Sequence, residues 1–132
     1  MALPAEDRIE LHELVARYGN VVDDCDLDAL GTVYTDDAEL VLVTASGRAV
    51  RKHGLGEIGE FLAASNSNNA HILTNITTAV EDAGADEQVV LRYRMGAPKG
   101  ADLFSIDYRD VVVRTDAGWR IAHHTILMRA PA

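Results

Sequence analysis

The stretch Ala70-His71-Ile72-Leu73-Thr74-Asn75-Ile76-Thr77-Thr78 predicts a β-strand that carries a histidine near its start. Isoleucine, leucine and threonine dominate the stretch, and these residue types favour the pleated, half-buried surface of a sheet. Side chains alternate between the two faces of a strand, so one face is expected to carry His71, Leu73, Asn75 and Thr77. If that face lines a cavity, His71 is a candidate for proton transfer, because imidazoles exchange protons near neutral pH.

The residues before this strand predict mainly helices. An amphipathic first helix is indicated by apolar residues at helical spacing, namely Leu11, Leu14, Val15, Tyr18 and Val22. Asp26 is the expected N-cap of a short second helix that includes Tyr34 and closes at the turn Thr35-Asp36-Asp37. Short strands over residues 39–44 and 48–51 and a third helix over residues 53–62 are then predicted.

The residues after this strand predict a sheet built from hairpins. A polar loop over residues 65–69 leads into the strand, and strands are expected after it over residues 88–95, 103–114 and 119–128, with turns that contain Gly84 and Gly118. Helices followed by hairpin-connected strands indicate an α+β fold with a strongly curved antiparallel sheet. We therefore expect one domain over residues 1–132, in which the sheet wraps around the N-terminal helices as a cone-shaped α+β barrel.

Composition excludes several classes of function. The chain has 132 residues and a net charge of −9, which disfavours binding to nucleic acid and to anionic membranes. The single cysteine leaves no thiol cluster for zinc, and the five histidines form no metal site by spacing alone, so no metal or cofactor is expected. No signal peptide or membrane span is visible, and a cytoplasmic location is the expectation.

Three motifs resemble a known family. The first combines Arg17-Tyr18, Val22-Asp23 and residues 26–30, and the second is residues 34–38. The third is His71-Ile72-Leu73-Thr74-Asn75. A closing strand with the same resemblance is Gly118-Trp119-Arg120-Ile121-Ala122-His123. Together they resemble the SnoaL-like group of the nuclear transport factor two-like superfamily, which has a cystatin-like fold. The resemblance covers nearly the whole chain and is specific for fold, whereas the superfamily contains enzymes of several kinds and non-catalytic proteins.

The resemblance implies a site as well as a fold. In scytalone dehydratase and hexachlorocyclohexane dehydrochlorinase, a helix-end aspartate and a strand histidine form a dyad, and Asp23 and His71 fall at those positions. His71 would then be the general base and Asp23 would orient its ring. Tyr18 stands where the dehydrochlorinase has a lysine, which favours loss of water or isomerisation over loss of chloride. Solvation of Asp23 at a helix end and core packing of Tyr18 remain the alternatives.

Further residues are predicted to contact a ligand. Tyr34, Asn75 and His123 are the candidates, and each also has a structural interpretation in packing or backbone bridging. His123 and His124 point to opposite faces of a strand, so one of them is expected to face inward. Six arginines on successive strands are interpreted as solvated charges on the outer face, whereas any one of them on the inner face would recognise an acidic substrate: Arg92, Arg94, Arg109, Arg114, Arg120 and Arg129.

The predicted function is that of a cofactor-independent lyase or isomerase. It would remove a proton from a small, largely apolar hydroxy- or keto-compound of polyketide, steroid or aromatic type. The competing hypothesis is a non-catalytic small-molecule binding or assembly module of the same fold, such as a dioxygenase-type small subunit. Apolar residues at 111–113 and 126–128 predict a homo-oligomer, either a dimer or a trimer.

Overall fold

Two α-helices and a 3₁₀ helix lie against a six-stranded sheet. The structure is a computed structural model that describes residues 2–65, 70–99 and 102–129. The helices are α1 (Ala5–Asp23), the 3₁₀ helix (Leu27–Thr32) and α2 (Gly54–Ser65). The strands are β1 (Tyr34–Val43), β2 (Ala49–His53), β3 (Leu73–Ala83), β4 (Asp86–Lys99), β5 (Asp102–Thr115) and β6 (Gly118–Met128). None of the described helices is long and apolar enough to cross a membrane.

The sheet is curved and does not close. Its strand order is β2-β1-β6-β5-β4-β3, which leaves β2 and β3 at the two edges. Successive strands from β3 to β6 pair as antiparallel hairpins, and β1 pairs antiparallel with β2. The expected α+β fold with a curved sheet is confirmed, but the β1–β6 pairing is parallel and not antiparallel. The long connection that a parallel pair requires is supplied by β2, α2 and β3 to β5.

The core lies between the helices and the inner face of the sheet. The apolar stripe predicted for α1 is buried as expected, with Leu11, Leu14, Val15 and Tyr18 at most 1% exposed. From the sheet, Leu40, Leu91 and Ile121 close the same core. Tyrosines extend it, since the four of the chain are all buried. The interior is therefore rich in aromatic rings that carry hydroxyl groups.

Several predicted boundaries near the start of the sheet are wrong. The predicted second helix is a 3₁₀ helix that ends at Thr32, and Asp26 precedes it without a side-chain capping bond. Tyr34 and the predicted turn Thr35-Asp36-Asp37 lie instead within β1, whose Ala38 and Leu40 are buried in the core. Burial of these residues against the helices outweighs the turn preference of the two aspartates. The polar loop predicted over residues 65–69 begins inside α2, and residues 66–69 lie outside the described residues.

Besides a register shift between Tyr34 and Glu39 of β1, two irregularities change the alternation of side chains along β3 and β6. In β3 the pairing with β4 shifts between Thr74 and Thr77, and Asn75 has a φ of 57°. In β6 the residues paired with Val112 and Val111 are Ile121 and His123, so that Ala122 has no partner in the register. Each irregularity is a β-bulge, which inserts one residue into the strand and reverses the faces beyond it.

Candidate functional site

Asp23 and His71 form the first acidic–imidazole pair of the molecule. Asp23 is the last residue of α1, which ends where Cys25 adopts a left-handed φ of 52°. His71 lies two residues before β3, rather than within it as predicted. The two side chains meet with Oδ1 of Asp23 at 2.5 Å from Nδ1 of His71, while Oδ2 accepts the backbone N–H of His71 at 2.8 Å. The carboxylate therefore holds both the ring and the backbone of the histidine.

Close packing between α1 and the segment before β3 makes this contact possible. Gly19 lies one turn before Asp23, and a Cβ atom there would meet Leu73 at 3.2 Å and His71 at 3.6 Å. The small residue thus lets the helix approach the histidine segment. The predicted Asp23–His71 pair is present in the structure.

The Asp23–His71 pair is partly open to solvent. The side chain of His71 is 17% exposed and that of Asp23 is 25% exposed. Nδ1 of the ring faces the carboxylate, and Nε2 receives no hydrogen bond from the described residues. An Nδ1–H that donates to the carboxylate leaves the lone pair of Nε2 available to accept a proton.

Tyr18 places a hydroxyl-bearing ring beside the pair. Its ring lies edge-on to His71, with 6.0 Å between the ring centroids. Burial raises the pKa of the Tyr18 hydroxyl well above 10.0, and the neighbouring Tyr108, Tyr34 and Asp110 add to the rise. Tyr18 therefore remains protonated, and its hydroxyl is hydrogen-bonded to Tyr108, so it must exchange this partner to donate to a ligand, as its predicted role requires.

A second acidic–imidazole pair lies deeper in the interior and was missed by the sequence analysis. Asp110 and His124 are cross-strand partners on β5 and β6, and both side chains are 0% exposed. Oδ1 of Asp110 lies 2.5 Å from Nδ1 of His124, and Oδ2 accepts the hydroxyl of Tyr93 at 2.5 Å. We name Asp110, His124 and Tyr93 the buried triad. Both oxygens of its carboxylate are satisfied within the protein.

The sequence of β5 indicates the buried triad, because its side chains alternate between the inner and the outer face. Ile106, Tyr108, Asp110 and Val112 share the inner face, so the aspartate stands at a position where the pattern calls for an apolar residue. A charged residue at such a position requires a buried partner. Its partner, His124, was not identified because the bulge at Ala122 reverses the faces of β6.

Aromatic rings surround the imidazole of His124. Its ring centroid lies 4.8 Å from that of Tyr18, 5.5 Å from that of Tyr108 and 5.7 Å from that of Tyr34. Tyr93 and Tyr108 stack on each other, with centroids 4.7 Å apart. Desolvation raises the pKa of all four tyrosines, that of Tyr108 to about 12. Tyr18 contacts both imidazoles and joins the two pairs into one aromatic cluster.

Two predicted ligand-contact residues do not lie where their roles require. His123 points away from the interior and lies 3.6 Å from Glu39 of β1, with 57% of its side chain exposed, while His124 is the inward residue. Asn75 does not share a face with His71, because the bulge at its position turns Ile76 toward the core instead. Asn75 lines a hollow of about 310 Å³ on the outer face of the sheet. Only Tyr34 of the three residues faces the aromatic cluster.

Four of the six arginines lie on the outer face, as predicted. Arg92 and Arg109 bind Glu81, and Arg94 and Arg129 bind Asp107. These ion pairs lie on the outer face of the sheet, which is opposite the face that carries the aromatic cluster. Arg114 instead binds Asp7 of α1 on the helix-covered face, and Arg120 donates to backbone carbonyls of Gly31 and Trp119. No group of histidine, cysteine, aspartate and glutamate residues suited to a metal ion occurs within the described part of the chain.

Comparisons with known proteins identify the family. The family model of the SnoaL-like domain matches residues 4–125. The chain therefore belongs to the SnoaL-like domain family, within the nuclear transport factor two-like superfamily. The predicted resemblance and the predicted fold are confirmed.

Solved structures share this fold. A candidate aromatic ring hydroxylase from Novosphingobium aromaticivorans is 29% identical, with a TM-score of 0.75 over 98% of this chain and 94% of that chain. A nuclear transport factor two-like protein with a cystatin-like fold from the same organism is 25% identical, with a TM-score of 0.68 over 93% and 82% of the two chains. A candidate dioxygenase β subunit from that organism is 15% identical, with a TM-score of 0.66 over 92% and 88%, and shows the fold alone. The chain matches no curated protein.

Proposed function

We propose that the protein is a cofactor-independent lyase or isomerase of the dehydratase type, in which His71 is the general base. The observation that carries the proposal is the two-point contact of Asp23 with the ring and the backbone N–H of His71. A carboxylate on Nδ1 directs Nε2 toward a substrate and stabilises the imidazolium that forms when the ring accepts a proton. Partial exposure of the pair gives a substrate access to it.

The proposed reaction begins at a carbon next to a carbonyl group. Nε2 of His71 accepts the proton, and the electrons of the broken C–H bond form an enolate. Tyr18, which is protonated and lies beside His71, donates a hydrogen bond to the enolate oxygen. In a dehydration, the enolate electrons then form the C=C bond, and the hydroxyl on the next carbon takes the proton held by Nε2 of His71 and leaves as water. In an isomerisation, the proton returns to a different carbon.

We infer the substrate class from the aromatic rings around Tyr18, which is the neighbour of the pair. Tyr18, Tyr34, Tyr93 and Tyr108 offer ring faces and edges, which favour a flat, largely apolar molecule of aromatic or polyketide type. The description of the 29% identical relative as a candidate aromatic ring hydroxylase agrees with an aromatic ligand. We infer a small hydroxy- or keto-compound as substrate.

Deuterium exchange tests the role of the pair. Bicyclic aromatic β-hydroxyketones are incubated with the protein in D₂O, and NMR measures both loss of the proton next to the carbonyl and formation of the unsaturated product. We expect His71→Gln to lower the rate by about 10²- to 10⁴-fold, and Asp23→Asn to lower it less. His123→Gln, which alters an exposed histidine, is the matched control and should keep the rate of the unaltered protein. An unchanged rate in His71→Gln would refute the proposal.

A second candidate function is a non-catalytic binding or assembly module of the same fold. The observation that favours it is the filling of the interior by aromatic side chains, which include the buried Tyr18, Tyr34 and His124. Such a module would catalyse no deuterium exchange on any of the β-hydroxyketones but would still bind aromatic compounds.

We also propose a homo-oligomer. Val113 and Leu127 remain 38% and 41% exposed on the outer face, whereas Val112 and Ile126 from the same predicted patches are buried inside. A second copy would cover the two exposed side chains. Sedimentation equilibrium distinguishes monomer, dimer and trimer.

A further inference from the structure

Two polar atoms in the aromatic cluster are buried and unpaired. Nε2 of His124 and the hydroxyl oxygen of Tyr34 are inaccessible to solvent and have no hydrogen-bond partner among the described residues. The two rings are direct neighbours, with centroids 5.7 Å apart and planes at 83° to each other. An unpaired polar atom inside a protein is destabilising, and native proteins contain few of them. Two in adjacent side chains therefore indicate a missing partner.

The buried triad fixes which kind of partner fits His124. Nδ1 of His124 faces a carboxylate oxygen, and Tyr93 donates to the other oxygen of Asp110, so that Nδ1–H is the donor to the carboxylate. In the neutral imidazole, Nε2 is then a hydrogen-bond acceptor. The hydroxyl of Tyr34 is protonated and supplies a donor. A group that donates to one atom and accepts from the other is a hydroxyl, of a ligand or of a buried water, whereas a ketone oxygen can only accept.

We propose that Nε2 of His124 and the hydroxyl of Tyr34 together bind one hydroxyl group of an aromatic ligand, that is, a phenol or the enol form of a cyclic ketone. This inference rests on the proposed function and adds a second point of recognition to its substrate. The ligand hydroxyl donates to His124 and accepts from Tyr34. Asp110 and Tyr93 are positioning residues, since they hold His124 and do not contact the ligand.

Tyr18 connects this anchor with the base. Its ring contacts His71 on one side of the cluster and His124 on the other, with 6.0 Å and 4.8 Å between ring centroids. A flat ligand that reaches from His71 to His124 must therefore pass along Tyr18. Because neither unpaired atom is accessible, an aromatic side chain of the cluster has to move before the ligand hydroxyl reaches them.

Binding measurements with matched probes test the anchor without relying on turnover. Dissociation constants of 2-naphthol and naphthalene are measured by NMR titration for the unaltered protein and for Tyr34→Phe. We expect Tyr34→Phe to weaken 2-naphthol binding by about fivefold to tenfold, the effect of one lost hydrogen bond, and to leave naphthalene binding unchanged. The melting temperature of Tyr34→Phe should not fall, because the removed hydroxyl has no partner in the unliganded fold.

Two further measurements keep the outcome unambiguous. In the unaltered protein, 2-naphthol should shift the ¹⁵N resonance of Nε2 of His124, and naphthalene should not. His71→Gln should retain the preference for 2-naphthol, so a failure of the proposed catalysis leaves this test intact. The anchor is refuted if Tyr34→Phe weakens both probes equally, if 2-naphthol binds no better than naphthalene, or if the His124 resonance does not respond.

Discussion

The two acidic–imidazole pairs are alike in contact and differ in setting. In each, a carboxylate oxygen lies 2.5 Å from Nδ1 of a histidine. Asp23 and His71 are 25% and 17% exposed, whereas Asp110 and His124 are fully buried. The same chemical contact can thus present a base to a substrate at the margin of the fold, and can hold a hydrogen-bond acceptor among aromatic rings inside it.

The difference follows from the elements that carry the two pairs. Asp23 and His71 stand outside regular strands, at the end of a helix and in the segment before β3, where side chains reach solvent. Asp110 and His124 are opposite each other in the ladder of β5 and β6, on the face covered by α1. The position of each pair in the fold therefore sets its access to a ligand.

The largest contrast is expected in stability after loss of each carboxylate. Asp110→Ala removes the partner of a buried imidazole and of Tyr93, and should lower the free energy of unfolding by about 3–5 kcal/mol. Asp23→Ala leaves a histidine that water can reach, and should lower it by about 1–2 kcal/mol. Urea denaturation measures both values. If Asp110→Ala fails to fold, Asp110→Asn provides the comparison, and equal losses at the two sites would contradict the difference in burial.

The second contrast is between two buried tyrosine hydroxyls. Tyr93 donates to Asp110, so Tyr93→Phe should lower the free energy of unfolding by about 1.5–3 kcal/mol, the contribution of a hydrogen bond to a charged group. The hydroxyl of Tyr34 has no partner among the described residues, so Tyr34→Phe should leave stability unchanged or raise it. Thermal and urea denaturation of the two variants decide this. A loss in Tyr34→Phe as large as that in Tyr93→Phe would show that its hydroxyl is paired in the folded protein.

A smaller effect on stability is expected from substitutions at Asn75, in the β-bulge of β3. Asn75 has a φ of 57°, a conformation that asparagine and glycine tolerate and β-branched residues do not. We expect Asn75→Ile to lower the free energy of unfolding by about 1–2 kcal/mol and Asn75→Gly to change it little. Urea denaturation of both variants provides the values. Equal stability of the isoleucine and glycine variants would argue against the left-handed backbone at this position.

Most of the fold could be predicted from the sequence, and the reasons are local. Leu11, Leu14 and Val15 show the period of a helix, and the long final strands show alternation with turn residues between them. These patterns depend on neighbours in the chain and therefore survive without tertiary information. The pairing of Asp23 with His71, 48 residues later, came from resemblance to a family and not from any local pattern.

The interior of the site could not be predicted in the same way. Regular alternation of β6 would place His123 on the same face as Ile121, and nothing in the sequence of β6 indicates the bulge at Ala122 that brings His124 there instead. The same applies to Asn75, whose predicted face assumed regular alternation. Asp110 was open to prediction from its place between Tyr108 and Val112 on an apolar face, but its partner depends on the reversed face of β6.

The smallest effect on stability is expected from the ion pairs of Asp107 on the outer face, when the pH is lowered. Burial acts to raise the pKa of Asp107, but hydrogen bonds from Arg129 and Arg94 outweigh it and lower the pKa below its ordinary value of 3.8. Because the pKa is lower in the folded state, the carboxylate stabilises the protein fully above pH 3.8. This stabilisation is lost as the pH falls through the folded-state pKa. Its size should stay below about 1 kcal/mol, because the pairs are exposed. Asp107→Asn should remove this part of the pH dependence of urea denaturation, while Asp116→Asn, at an exposed turn, should retain it.

The division of roles between the two pairs is tested most directly by steady-state kinetics of His71→Gln and Tyr34→Phe on one active β-hydroxyketone. We expect His71→Gln to lower kcat by about 10²- to 10⁴-fold, because the base is lost. We expect Tyr34→Phe chiefly to raise KM and to leave kcat within about threefold, because only an anchor for a hydroxyl group is lost. A kcat that is unchanged in His71→Gln, or that falls as far in Tyr34→Phe as in His71→Gln, would contradict this division of roles.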